Sequence, residues 1–80
     1  MGRRTPARWR TTAAKAGWCV RQLWRGPVHL ATMETRSAGD NRWRVEVGSE
    51  QWHWQPAGNA KTMLAAEAAA KTEALKWEAS

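Results

Sequence analysis

Residues 42–47 read Arg-Trp-Arg-Val-Glu-Val and residues 51–55 read Gln-Trp-His-Trp-Gln, with Gly48 and Ser49 between them. Side chains along a β-strand alternate faces with period two, so each run separates into an apolar set and a polar set. A Gly-Ser pair suits a two-residue hairpin turn. That register sets Val47 opposite Glu50, Val45 opposite Trp52 and Trp43 opposite Trp54. One face carries Trp43, Val45, Val47, Trp52 and Trp54. The other carries Arg42, Arg44, Glu46, Gln51, His53 and Gln55. Cross-strand aromatic and β-branched pairs of this kind contribute about 0.2–1 kcal/mol each.

The chain has 80 residues, seven of them Trp, with no Phe and no Tyr. A domain this small buries a modest share of its surface. Tryptophans, at about 150–250 Å² each, are then the main material for a core. An alanine-rich stretch follows the hairpin, with seven alanines between positions 60 and 74. A helix is predicted there from Ala60 to about Trp77, capped by Asn59. Met63, Ala66, Ala70, Ala74 and Trp77 form one stripe at helical spacing, and Leu64, Ala68 and Leu75 form a second. Glu67 and Lys71 are placed for an i,i+4 pair. Small alanines let the helix approach a sheet whose facing side chains are large.

Upstream, Ala13, Ala16, Val20, Leu23 and Trp24 fall on one helical face, which predicts a helix from Thr11 or Thr12 to about Arg25, ended by Gly26-Pro27. Residues 28–36 alternate softly and read as a strand, and residues 37–41 as a turn. The expected fold class is α+β: a three-stranded antiparallel β-meander with an N-terminal helix and an alanine-rich C-terminal helix, in the order α-β-β-β-α. It occupies residues 11–80 as a single domain. Residues 1–10, Arg-rich and containing Pro6, are expected to be a flexible basic arm.

Formal net charge is +6 and unevenly spread. The first 44 residues hold ten Lys and Arg against Glu34 and Asp40; the remainder hold three Lys against five Glu. A basic front half points to a polyanion or an acidic protein surface as partner. Cys19 is the only cysteine, which excludes an intrachain disulfide and fits a reducing cytoplasm. No apolar run reaches the roughly 20 residues that cross a bilayer. The two histidines, His29 and His53, match no ligand spacing with Cys19, and no glycine-rich phosphate loop or nucleophile elbow occurs. The expectation is a non-enzymatic binding protein with no metal and no cofactor. Its partner-binding candidates are Arg42, Arg44 and His53 on the polar hairpin face, then Arg8, Arg10 and Arg21.

Two resemblances follow. The α-β-β-β-α order over residues 11–77, ending in spaced alanines, resembles the double-stranded RNA-binding domain. That family grips phosphates with a basic cluster at the start of its last helix, where this sequence has Asn59-Ala60-Lys61-Thr62-Met63 with Lys61 alone basic. The β-meander of residues 28–47 and 51–55, followed by Gly58-Asn59-Ala60 and the run Ala65-Ala66-Glu67-Ala68-Ala69-Ala70 as far as Trp77, resembles small anti-CRISPR proteins of phages and mobile elements. That resemblance implies a stoichiometric inhibitor acting in the host bacterial cytoplasm. It would bind a CRISPR effector complex and block target-DNA recognition or nuclease recruitment. Many such proteins are acidic mimics of DNA; a basic chain would instead dock on acidic protein or touch guide or target strand. The alternative expectation is a basic nucleic-acid-binding accessory protein for double-stranded RNA or DNA. A third is a subunit of a larger assembly with exposed tryptophans as anchors.

Overall fold

A two-residue loop, Ala16-Gly17, reverses the chain within the segment expected to be helical, with Gly17 at φ +74°. Glycine enters this left-handed region without the steric cost a side chain brings. In the computed structural model, which describes residues 5–47 and 56–79, the segment forms two strands instead: β1 (Arg8–Lys15) and β2 (Trp18–Arg25). The chain continues as β3 (Val28–Ser37), β4 (Asp40–Val45), β5 (Ala57–Ala60) and α1 (Met63–Ala79). All neighbours are antiparallel and the sheet order is β1-β2-β3-β4-β5.

The expected α-β-β-β-α architecture is therefore corrected to a five-stranded meander with one C-terminal helix. The physical reason lies in residues 18–25, where Trp18, Val20, Gln22 and Trp24 alternate with Cys19, Arg21, Leu23 and Arg25. A helix would have put Val20, Leu23 and Trp24 on one face with only Ala13 and Ala16 before them. The strand buries Leu23 completely and lets Trp9 of β1 pack on the same core, and β-branched and aromatic residues suit a pleated surface. Gly26-Pro27, expected to end a helix, turns β2 into β3. β1 begins at Arg8, so the last three residues of the expected basic arm belong to the sheet.

β3 carries one residue more than β2 where Leu23 pairs with Ala31 and Trp24 with His29. This bulge allows the adjacent residues Leu30 and Ala31 both to be fully buried. With Leu23, Val45, Ala70 and Ala74 they make the core, and Trp9, Trp43, Val47 and Trp77 pack against it. Each fully buried Leu, Met or Val contributes about 1.5–3 kcal/mol.

The helix begins later than expected. Thr62 caps it, its Oγ1 accepting from the Ala65 backbone N–H at 3.1 Å. Asn59, the expected cap, lies in β5. Of the expected stripe, Ala66, Ala70 and Ala74 are fully buried and Trp77 is half-buried, whereas Met63 is exposed, as is Leu64 of the second stripe. α1 lies over β3, β4 and β5. β2 reaches it through two ion pairs, Arg21–Glu67 and Arg25–Glu78, each 2.8 Å. Glu67, expected to pair with Lys71, takes Arg21 instead. At this degree of burial such charged hydrogen bonds contribute about 1–2 kcal/mol each.

The hairpin expected within residues 42–55 is altered. Its second strand, residues 51–55, lies outside the described residues. The two cross-strand partners of Trp43 are Met33 and Gly58. The division of faces on β4 is as the alternation predicted: Trp43 and Val45 face the helix, and Arg42 and Arg44 are exposed on the reverse side.

Candidate functional site: the open sheet face

α1 covers one face of the sheet, and no described element covers the other. Antiparallel pairing fixes which side chains share that face. β1 presents Arg8, Arg10, Ala13 and Lys15, and β2 presents Trp18, Val20, Gln22 and Trp24. β3 adds His29, Thr32 and Glu34, β4 adds Arg42 and Arg44, and β5 adds Ala57 and Asn59. Antiparallel sheets often leave one face to water. This one differs from an ordinary solvated face in holding two partly exposed tryptophans among five cationic residues.

Each tryptophan is dressed by a cation. The Arg10 guanidinium lies over the Trp24 ring, 5.8 Å from its centroid, and the Lys15 ammonium lies over Trp18 at 5.6 Å. Such contacts are worth about 0.5–1 kcal/mol at exposed sites. Trp24 also stacks on His29, with centroids 4.6 Å apart and 12° between planes. The indole N–H of Trp18 donates to Glu34 Oε2 at 2.7 Å, and that of Trp24 to Gln22 Oε1 at 3.0 Å. Both rings are thus held at their polar edge, which fixes their orientation on the sheet.

A polar chain runs across β3 and β4. His29 Nε2 lies 3.1 Å from the Ala31 carbonyl, which only accepts, so this nitrogen carries the proton. It also lies 3.1 Å from Thr32 Oγ1, which in turn donates to Glu46 Oε2 at 2.7 Å. Arg44 Nε donates to the same carboxylate oxygen at 2.9 Å. Burial pushes the Glu46 carboxyl up, but the hydrogen bonds from Arg44 and Thr32, with the Arg44 charge, outweigh it and hold the group below its ordinary value. Asp40 is held low by hydrogen bonds from Asn59 and then Arg42.

A lowered carboxyl binds its proton more weakly folded than unfolded, so its contribution to stability is full above the ordinary carboxylate range and is lost as pH falls through the folded value. The urea midpoint is expected to fall between pH 5 and about pH 3. Glu46→Gln should flatten that fall in a titration of unfolding midpoints, and an unchanged slope would show that Glu46 carries none of it.

Four of the six sequence candidates meet on this face: Arg8, Arg10, Arg42 and Arg44. Arg21 does not. It points to the helix and is held by Glu67. His53 lies outside the described residues. Sequence reasoning missed Trp18, Trp24, His29, Lys15 and Glu34. The signal for the two tryptophans was the alternation from residue 18 to residue 24 after a glycine turn. Among the described residues no group of three His, Cys, Asp or Glu side chains could hold a metal ion, and no helix is long and apolar enough to cross a membrane.

No family model matches the chain, and no curated protein or solved structure is significantly similar to it.

Proposed function

We propose that the chain is a non-enzymatic binding protein whose open sheet face takes single-stranded nucleic acid. The observation that carries this reading is the pairing of each partly exposed tryptophan with a long, exposed cation on the same face, Arg10 with Trp24 and Lys15 with Trp18. Either cation can swing from the ring to a phosphate while a base takes its place on the indole. Base–aromatic stacking is worth about 1–3 kcal/mol per base. Trp18 and Trp24, six residues apart on one strand, are separated by about 20 Å, room for several nucleotides. Arg8, Arg42 and Arg44 flank that path. A duplex offers only the edges of its bases, whereas a single strand offers their faces.

Fluorescence anisotropy of a labelled nonathymidylate tests this. Affinity should fall as salt rises, with a log–log slope of about −0.7 per phosphate contacted. Replacing Arg8, Arg10, Arg42 and Arg44 together by Ala should weaken binding at least about tenfold, while Lys71→Ala, on the exposed side of α1, should leave it unchanged. Absence of binding at low salt, or a flat salt response, overturns the reading.

A second reading is a stoichiometric inhibitor of a bacterial CRISPR effector complex. The feature favouring it is the β-meander followed by an alanine-rich helix. The basic face would then occlude an acidic protein surface or a guide or target strand. The same titration separates the two: an inhibitor docking on protein leaves the free oligonucleotide unbound and instead co-purifies with its effector.

A further inference from the structure

Beside the tryptophans the open face sinks into a concavity of about 480 Å³, lined by Val20, Thr32, Glu34, Arg42, Arg44 and the backbone around Gly58. Its charges are arranged unusually. Glu34 lies directly across from Arg42 in the β3–β4 register, yet the two form no ion pair. Arg42 turns its Nε to Asp40, and Arg44 turns its Nε to Glu46. The terminal guanidinium nitrogens of both make no hydrogen bond among the described residues. Glu34 Oε2 accepts from Trp18, and Oε1 has no hydrogen-bond partner among the described residues.

A carboxylate acceptor thus stands in a cavity rimmed by two guanidinium groups with donors to spare. A bare cation is repelled by Arg42 and Arg44, and a bare anion by Glu34. A ligand that presents a donor edge and carries an anion elsewhere satisfies both. Resting on the single-strand reading above, we propose that this concavity reads a guanine base, its N1–H and N2 amino group donating to Glu34 while an adjoining phosphate meets Arg42 and Arg44. Guanine is the one common base with two adjacent donors on its Watson–Crick edge, and an ionised carboxylate accepts two such bonds together. Cytosine and adenine each set a ring acceptor beside their amino group, and thymine flanks its single N–H with carbonyls. All three turn an oxygen or nitrogen lone pair toward the carboxylate. The Trp18 N–H bond is the positioning element that holds Glu34 in place.

The test uses labelled nonamers of thymidine with a single central guanine, hypoxanthine, adenine, cytosine or thymine. The guanine nonamer should bind about tenfold more tightly than the all-thymine strand, with hypoxanthine, which lacks the amino group, between them. Glu34→Gln retains an acceptor for Trp18 but places an amide in the cavity. It should abolish the guanine preference, so that the guanine and all-thymine strands bind the variant alike. Equal affinity for all five strands overturns the proposal while leaving single-strand binding intact, and so does a guanine preference that survives in Glu34→Gln. Failure of every strand to bind removes the binding reading and this one with it. The base series needs only the natural chain, so it decides the matter even where the variant does not fold.

Discussion

Replacing Gly58 with alanine is expected to destabilise the fold by about 2–3 kcal/mol, a fall in Tm of about 10–20 °C for a domain of this size. A Cβ at Gly58 would sit 2.7–2.8 Å from three atoms of the Trp43 indole. That ring is a rigid plate packed against the core, so the clash cannot be relieved by a flexible side-chain tip. Either β5 moves away from β4 or Trp43 leaves its place. The sign makes the prediction sharp, because Gly→Ala within a strand ordinarily gains about 0.5–1 kcal/mol. Thermal unfolding of Gly58→Ala, Trp43→Leu and the double variant measures the coupling. The double variant should be more stable than the sum of the two single losses by at least about 1 kcal/mol, since a leucine leaves room for the added methyl. An unchanged Tm for Gly58→Ala would show that the sheet yields at this point without cost.

Asn41→Leu is expected to cost about 3 kcal/mol. Asn41 is 2 % exposed and is the one buried polar residue among those described. Its side chain accepts from Thr35 Oγ1 at 2.7 Å and donates to the Ala60 carbonyl at 3.0 Å, so it joins β3, β4 and β5 just before the helix begins. Leucine keeps the branched shape but is bulkier, and it removes the bonds to half-buried Thr35 and Ala60, leaving Thr35 Oγ1 only its 3.5 Å contact with Met33 Sδ. An unmade buried hydrogen bond costs about 1–3 kcal/mol per group. Urea denaturation gives the loss, and amide exchange should show it concentrated in β5 and the first turn of α1. A loss below about 0.5 kcal/mol would mean that Thr35 and Ala60 find other partners.

Legibility differed by region. The alternation at residues 42–47 assigned Arg42 and Arg44 to one face and Trp43 and Val45 to the other, because strand periodicity acts locally. The 3.6-residue spacing of Ala66, Ala70 and Ala74 named the buried side of α1 for the same reason. Residues 11–25 were ambiguous. Their apolar positions satisfy a helical stripe as well as a strand alternation, and small alanines contribute to either. The choice rested on the Ala16-Gly17 loop and on the burial of Leu23 and Trp9 against elements distant in the chain. The start of α1 was misplaced because Asn59 and Thr62 are both good caps. β5 claims Asn59 by pairing with β4, which leaves Thr62 to begin the helix.

The sequence by itself determined a basic, tryptophan-rich α+β chain with an alanine-faced terminal helix and a strand that separates arginines from tryptophan and valine. These are properties of composition and short-range period. Only the tertiary structure decided that β1 and β2 extend the sheet. With that, Arg8 and Arg10 came to the same face as Arg42 and Arg44, while Arg21 went to the helix and Glu67. Trp18, Trp24 and Glu34 joined those four arginines on the open face. The reason is that a face is made by register between strands far apart in sequence, and register follows from which side chains can be buried together.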